Sequence, residues 1–429
     1  MAMLQFLNRF SLLQVTLICG TLVTTAALPL VSPIGSCSVL SEFKDSPKAV
    51  VDEVWQIVNS EYVDRTFNHV NWLATRRQLL NHNYTSRQQA YTAIRVALKQ
   101  LGDPYTRFLD PQQYQTLSDE TSGKMAGIGV VTEQTDNQQL RVVKVLENSP
   151  ASKAKIQPGD KILAVDGRST QGKTIEEILK LIGGRAGTPV TLRMEQQGHR
   201  DFEVKLIRAD IKVPTLSYTL KQEGVKRIGY IRLTEFDATS PQEMQQAIKV
   251  LQAKQVDGYV LDLRGNPGGL VDASVAIARM WLEQGAIVRE VDRAGDGEEM
   301  VATHTALTKL PLVVLVDGDS ASASEILTGA LQDNHRATVV GSQTFGKGLI
   351  QEISPLSDGS GIAVTVEHYF TPNGTDINHK GITPDVKVNL TLTQQQQLET
   401  VPDSMATLSD PQYIKAENVL NLLISDSKP

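Results

Sequence analysis

Cysteine is nearly absent from this 429-residue sequence, which has only Cys19 and Cys37. Two cysteines exclude a disulfide-stabilised scaffold and any zinc cluster built on cysteine. Both lie in the first tenth of the chain, so removal of that segment would also exclude a cysteine nucleophile. The seven histidines are scattered without an HExxH spacing, which argues against a helix-borne zinc protease site.

A surplus of positive charge is lacking too, because the formal net charge is −6. Broad electrostatic binding of nucleic acid needs a basic face, so we expect no nucleic-acid partner. Hydrophobic residues make up 41% of the chain and charged residues 21%, which excludes disorder along its whole length. At about 150 residues per domain, the length predicts two or three domains.

Residues 1–40 contain almost no charge, since Arg9 is the only charged residue before Glu42. An apolar stretch follows Arg9 and leads to the small residues Ala26 and Ala27. A short positive start, an apolar stretch and small residues are typical of a secretory leader, so we predict an extracytoplasmic protein. Two alternatives stay open: an uncleaved leader that associates with the membrane, and lipoprotein processing at Cys37.

Residues 41–122 have the periodicity of a small helical region. One amphipathic helix is predicted after Ser46, a plausible N-cap with Pro47 in the first helical position. A second is predicted over 86–101, where Gly102 provides the stop.

Residues 123–207 change to short β-type runs separated by turns. The run Gly127-Ile128-Gly129-Val130, followed at 158–167 by the motif PGDKILAVDG, resembles a PDZ domain. The small residues of the first run would let backbone N–H groups point at an anionic chain terminus, and the bound peptide would extend the sheet. We therefore expect Gly127, Ile128, Gly129 and Val130 to bind protein substrates with free C-termini.

Residues 208–395 alternate between strand and helix patterns, which predicts crossover units in an α/β sheet. Residues 396–429 are predicted to be a linker and one helix, with a glutamine run at 394–397 leading into them. The predicted fold class is a multidomain α/β protein: an N-terminal helical region, an inserted β-rich PDZ domain and an α/β catalytic core with crossover units.

Three turns of small residues fall at predicted strand ends in this core, at 264–269, 319–325 and 341–351. A serine at a helix start would lie beside N–H donors suited to an oxyanion. Ser322 has no neighbouring histidine in a GxSxG turn, so the base is either Lys347, made neutral by burial, or His335.

The run 341–347 also nearly matches the sequence motif of a phosphate-binding loop. The match fails because Gly348 replaces the required Ser or Thr and a strand pattern follows.

The motifs SASASEI at 320–326 and TFGKGLIQ at 344–351 resemble the signature of the carboxyl-terminal processing, or tail-specific, proteases. The run LGDPYTRF at 101–108 is similar to the cyanobacterial and chloroplast members, and the resemblance covers about residues 45–395. It implies a serine endopeptidase that needs no metal or cofactor. The site residues that it implies are the nucleophile Ser322, the general base Lys347, Gln351 orienting the lysine, Asp333 in the charge relay, and the oxyanion donors Ala323 and Gly268 or Gly269.

Physical reasoning alone does not rank the three serines of the motif, and the resemblance selects Ser322. Ser320 is then expected to cap the helix and Ser324 to pack into it, while Glu325 receives no chemical role. The resemblance further suggests processing of the photosystem II D1 precursor in the thylakoid lumen. The alternatives are a periplasmic tail-specific protease for quality control and a PDZ scaffold protein that binds C-termini without cleaving them.

Overall fold

The computed structural model describes residues 46–135, 139–196, 201–401 and 404–426. The chain forms two compact units, one made of residues up to Thr121 and from Pro214 onward, the other of Ser122–Val213. The predicted leader, with both cysteines, lies outside the described residues. Within the described ranges, every helix falls short of the length and apolarity needed to cross a membrane.

The first unit begins with helices whose apolar faces pack against strands of the same unit. They are α1 (Pro47–Glu61), α2 (Trp72–Asn81), α3 (Arg87–Lys99) and, after strand β1 (Arg107–Leu109), α4 (Pro111–Thr121). Ser46 caps α1 by accepting a hydrogen bond from the Lys48 N–H, as predicted. The buried faces of α1 and α3 meet through Val54, Ile94 and other apolar side chains.

The second unit is a small β-rich body with one long helix. Its elements are β2 (Lys124–Gly127), β3 (Val130–Gln134), β4 (Leu140–Val145), α5 (Pro150–Lys153), β5 (Lys161–Val165), β6 (Arg168–Ser169), α6 (Ile175–Ile182), β7 (Pro189–Glu195), β8 (Phe202–Ile207) and β9 (Ala209–Lys212). Strand β3 lies at the edge of the sheet β3-β4-β5-β7-β8. Ile128 and Ile178 pack together in the core of this unit, which joins the loop before β3 to helix α6.

The rest of the first unit is built on a sheet with the strand order β10-β11-β12-β15-β16-β19. Its elements are β10 (Leu216–Glu223), β11 (Lys226–Leu233), α7 (Ser240–Ala253), β12 (Gly258–Asp262), α8 (Val271–Trp281), β13 (Ala286–Asp292), β14 (Gly297–Val301), β15 (Leu312–Val316), α9 (Ala323–Asp333), β16 (Thr338–Gly341), β17 (Leu349–Pro355), β18 (Gly361–Phe370), β19 (Val386–Lys387), α10 (Leu392–Thr400) and α11 (Pro411–Asp426). From β11 to β19 the neighbouring strands are parallel. This arrangement confirms the predicted α/β class.

A second, antiparallel sheet brings the N-terminal region to the core. Strand β18 pairs with β1, β13 and β17, so the segment after α3 is held against the strand that also pairs with β17, which follows the lysine motif. Phe108 of β1 and Ile362 of β18 belong to the same buried cluster as α1 and α3. Residues 101–108 are therefore fixed next to residues that are far away in the sequence.

The predicted linker in the tail is wrong over 396–400, because these residues continue helix α10, which starts at Leu392 and contains the glutamine run. The Thr391 hydroxyl accepts a hydrogen bond from the Gln394 N–H, and the Gln394 side chain accepts one from the Thr391 N–H. This reciprocal cap, together with the good helix propensity of glutamine, explains the helix. Helix α11 contains the predicted helix and packs against the sheet through Tyr413 and Leu420.

Candidate active site

All three turns predicted from the sequence meet at the carboxyl edge of the parallel sheet, where the Phe345 N–H of the third turn donates to the Ser320 carbonyl at 3.1 Å. The turn after β12 and the turn after β15 are joined by Asn266, whose carbonyl accepts from the Ala321 N–H at 3.0 Å and from the Ser324 hydroxyl at 2.9 Å. The Ser320 hydroxyl donates to the Leu263 carbonyl at 2.9 Å. Ser324 is packed as predicted, but Ser320 ties the two turns together instead of capping α9.

Ser322 is the residue that precedes α9, and its backbone is strained. Its φ of 54° and ψ of −115° place a side-chain-bearing residue in a region that L-residues rarely adopt. Strained residues of this kind cluster at functional sites because the surrounding structure must hold them there. Here the Ser322 N–H donates to Glu325 Oε2 at 2.9 Å.

Glu325 is a buried carboxylate that connects the serine turn to the lysine turn. Its Oε2 atom accepts from both the Ser322 and the Lys347 backbone N–H groups, each at 2.9 Å. Its Oε1 atom accepts from the Gly346 N–H at 2.8 Å and from the Thr344 hydroxyl at 2.5 Å. Burial raises the pKa of Glu325, while these four donors favour its ionised form.

The sequence around Glu325 carries a signal for its contact with the serine turn. A glutamate three residues after a serine, at the start of an apolar helix, is the pattern of a capping box. Its side chain does accept from the Ser322 N–H, but the same carboxylate also reaches the lysine turn. That second contact depends on the fold.

Tyr369 makes a second bridge between the same two residues. Its hydroxyl contacts the Ser322 carbonyl at 3.1 Å and also the Lys347 carbonyl. The side chain is 1% exposed, and burial raises the pKa of Tyr369 well above its usual value, so the hydroxyl stays protonated. The backbones of Ser322 and Lys347 are therefore held together on both sides, by an acidic and by a phenolic side chain.

Lys347 is the buried amine of the site. Its Nζ donates to Gln351 Oε1 at 2.6 Å and lies 4.5 Å from the centre of the Tyr105 ring. Burial lowers the pKa of Lys347 to about 7, the Arg107 guanidinium adds to the lowering, and Asp103 and Glu325 oppose it. Near neutral pH a substantial fraction of this amine is uncharged, which is the form that accepts a proton.

The predicted oxyanion donors lie around Ser322. A Cβ atom on Gly268 would come within 2.9 Å of Ser322 Cβ and 3.0 Å of the Ala323 nitrogen, so this turn touches the serine. The Gly268 N–H already donates to Asn266 Oδ1 at 2.9 Å. Gly269 has a φ of 136°, and a Cβ atom there would lie 2.0 Å from the Phe236 carbonyl oxygen, so only glycine fits.

The structure does not bring Asp333 to this site. Asp333 ends α9, and a helix rises about 1.5 Å per residue, so the eleven residues of α9 carry it away from Ser322. Its Oδ2 atom instead accepts from the Asn373 N–H at 2.9 Å. The rival base His335 lies beyond the same end of α9 and is exposed.

The phosphate-loop alternative fails as well. After Gly348 the chain enters strand β17 and not the helix that a phosphate loop requires. Among the described residues, no group of three or more His, Cys, Asp or Glu side chains is placed to hold a metal ion.

In the second unit, the carbonyls of the loop before β3 face the body of the unit. The Ile128 carbonyl accepts from the Ala151 N–H and the Gly129 carbonyl from the Leu146 N–H, each at 2.9 Å. In a trans peptide the N–H points opposite to the carbonyl, so the Gly129 and Val130 N–H groups face away from these partners. A Cβ atom on Gly129 would lie 2.2 Å from Ser149 Cβ, so glycine is required here.

Comparison with known proteins agrees with this architecture. Residues 227–388 match the model of peptidase family S41, and residues 141–196 match a PDZ domain. The chain is 40% identical over 419 residues to the carboxyl-terminal-processing protease of Synechocystis, which covers 97% of this chain and 93% of that protein. It is 37% identical to carboxyl-terminal-processing peptidase 3, chloroplastic, of Arabidopsis thaliana, over 78% of this chain and 67% of that protein.

A similar solved structure agrees with these matches. The photosystem II D1 C-terminal processing protease is 34% identical to this chain, covers 86% of it with 99% of its own length, and superposes with a TM-score of 0.56. The class is thus that of serine peptidases that carry a PDZ domain. Within this class, the chain belongs to the carboxyl-terminal-processing proteases of peptidase family S41, which confirms the resemblance drawn from the motifs.

Proposed function

We propose that this chain is an exported protease in which Ser322 is the nucleophile and Lys347 the general base. The observation that supports this assignment best is that two side chains bridge Ser322 and Lys347. Glu325 and Tyr369 each contact the backbones of both residues, so the turn of the strained serine is tied to the turn that carries a buried amine with a lowered pKa. Neither Asp333 nor His335 has a place in this mechanism.

The chemistry follows from the state of the amine. Neutral Lys347 removes the proton of the Ser322 hydroxyl as its oxygen attacks the peptide carbonyl. The resulting oxyanion is stabilised by backbone N–H donors at the start of α9 and in the glycine turn, with Ala323 and Gly269 as the proposed pair. The lysine, now an ammonium, gives its proton to the leaving amine, and water then hydrolyses the acyl-enzyme.

The PDZ unit supplies the preference for a chain terminus. The N–H groups of Gly129 and Val130, at the start of the edge strand β3, suit a carboxylate, and a peptide could extend the sheet from that edge. We propose the photosystem II D1 precursor as the substrate, because the similar solved structure carries that name. This substrate places the protein in the thylakoid lumen, and a periplasmic location would accompany a broader processing role.

The test uses the purified chain and a peptide that spans the processing site of the D1 precursor. We expect one cleavage near the C-terminus, found by mass spectrometry, and none with Ser322→Ala. Amidation of the peptide terminus should raise KM roughly 10- to 100-fold with little change in kcat, because charge-assisted hydrogen bonds are lost.

Three outcomes would contradict parts of the proposal. Binding without cleavage would indicate a scaffold protein. Equal kcat/KM on unrelated peptides with apolar termini would indicate a general tail-specific protease. Equal KM for the free and amidated peptides would remove the role proposed for the loop before β3.

A further inference from the structure

A chain of hydrogen bonds runs from the amine of Lys347 to a carboxylate of the N-terminal region. Lys347 Nζ donates to Gln351 Oε1 at 2.6 Å, and Gln351 Nε2 donates to Thr365 Oγ1 at 3.3 Å. The Thr365 hydroxyl then donates to Asp103 Oδ2 at 2.7 Å. Lys347, Gln351 and Thr365 are all buried.

Asp103 determines the direction of every bond in this chain. An ionised carboxylate can only accept, and a hydroxyl has a single proton. Because the Thr365 hydroxyl donates its single proton to Asp103, its oxygen can only accept a hydrogen bond from Gln351. The amide must therefore present its NH₂ group to Thr365 and its carbonyl oxygen to Lys347.

This orientation leaves the amine ready to act as a base. A neutral lysine amine has two N–H groups and one lone pair, and one of its N–H groups donates to the Gln351 oxygen. The lone pair is then available for the proton of Ser322. A flipped amide would present its NH₂ group to the amine and compete for that lone pair.

We propose that Asp103 is a positioning residue for Lys347, acting through Thr365 and Gln351 to fix the orientation of the Gln351 amide. This inference rests on the proposed role of Lys347 as the general base. It assigns a role in the reaction to the N-terminal region, which pairing between β1 and β18 holds against the core.

Asp103 also has an ordinary structural role, and a test must separate the two. Its Oδ1 atom accepts from the Tyr105 N–H at 2.9 Å, which stabilises the local turn. Thr106 belongs to the same network, because its hydroxyl donates to Asp103 Oδ2 at 2.7 Å and accepts from the Thr365 N–H at 3.0 Å. Thr121 offers a matched comparison with Thr365, because its hydroxyl donates to the Leu117 carbonyl at 2.7 Å, outside this chain of hydrogen bonds. Thr121 and Thr365 are both buried.

The experiment compares four variants on the free-terminus peptide. Asp103→Asn and Thr365→Val should each lower kcat roughly 10- to 100-fold with KM unchanged, because a misplaced catalytic group costs about this much. Thr365→Ser should restore kcat, since it keeps the hydroxyl. Thr121→Val should lose stability to a similar degree but keep kcat close to that of the original protein.

The pH profile adds a signature that a purely structural defect would not give. The charges that act on Lys347 are Asp103, Glu325 and Arg107, and the nearby Tyr105 and Tyr369 stay neutral because burial raises the pKa of both. Asp103 opposes the lowering of the lysine pKa, so its neutralisation lowers that pKa further. In Asp103→Asn, the acidic limb of kcat should therefore move to lower pH.

The outcomes separate this inference from the proposed function. If Lys347→Ala is inactive while Asp103→Asn keeps the original kcat and acidic limb, the positioning role is overturned and the base assignment stands. Equal losses of kcat in Thr121→Val and Thr365→Val would also overturn it, since they would indicate a general structural cause. If Lys347→Ala is active, both ideas fail.

Discussion

Replacement of Lys347 by alanine should lower kcat/KM for peptide cleavage by roughly 10⁴- to 10⁶-fold, the range seen when a member of a nucleophile–base pair is removed. The Ser322 hydroxyl is a weak nucleophile until a base removes its proton. Among the described residues placed around Ser322, Lys347 is the base that the geometry supports. Residual cleavage should come only from the oxyanion donors and substrate binding.

Two further substitutions of Lys347 distinguish the loss of a neutral amine from the loss of side-chain volume. Lys347→Arg keeps a cation that never becomes neutral, so it should be as inactive as the alanine variant. Lys347→Met fills much of the same space without an amine, so it should be folded and inactive. The control is Lys380→Ala, which removes an exposed lysine next to Asp376 and should leave kcat/KM unchanged.

The measurement is steady-state kinetics on the free-terminus peptide, with circular dichroism to check folding. Activity in Lys347→Ala within tenfold of the original protein would contradict the base assignment. Loss of activity in His335→Ala would point to the rival base instead, although the exposed position of His335 predicts no effect.

Replacement of Arg264 by alanine should lower the free energy of unfolding of the first unit by about 3–5 kcal/mol, the usual cost of breaking a buried ion pair on one side. Arg264 makes two bonds to Asp262, at 2.6 and 2.9 Å, and two to Asp410, at 2.8 and 2.9 Å. Both carboxylates are 0% exposed. The variant would leave two buried negative charges facing each other without a cation.

The same residue links stability to activity. Burial alone would raise the pKa of Asp262, but Arg264 outweighs it and holds the pKa of Asp262 below its usual value. Arg264 directly precedes the turn that contains Gly268 and Gly269, and Asp410 directly precedes helix α11. We therefore expect kcat to fall together with stability, because the turn that contains Gly268 and Gly269 loses its anchor.

Urea unfolding followed by fluorescence measures the effect. Arg95→Ala is the control, because its ion pair with Asp110 at 3.1 Å is about one-third exposed and should contribute about 1 kcal/mol or less. Asp410→Asn should be destabilised as well, since it removes one partner of the buried pair. If neither Arg264→Ala nor Asp410→Asn moves the urea midpoint more than Arg95→Ala does, the tail is not anchored as described.

Local patterns were sufficient to predict the elements and the turns that contain Ser322 and Lys347. The apolar run that forms β15 and the helix that forms α9 follow from residue spacing, and the motifs around Ser322 and Lys347 pointed to the family. The error at Asp333 had a geometric cause. A helix that starts directly after Ser322 already implies that Asp333, eleven residues later, lies about three turns from the serine.

The remaining site residues could not be predicted because their contacts join distant parts of the chain. Tyr369 reaches Ser322 and Lys347 only after β17 and β18 have paired. Asp103 meets Thr365 only because β1 adds to β18. A threonine or tyrosine within a strand pattern looks like any other packed residue until the register of the sheet is known.

The most direct test of the central claim is the rate at which a fluorophosphonate labels Ser322 as a function of pH, measured by intact mass and peptide mapping. Burial that lowers the pKa of Lys347 to about 7 predicts a single ionisation near that value. Because the ammonium is inactive as a base, labelling should be roughly 100-fold slower at pH 5 than at pH 9. Labelling at another residue, a rate that does not change between these pH values, or an unchanged rate in Lys347→Ala would contradict the account.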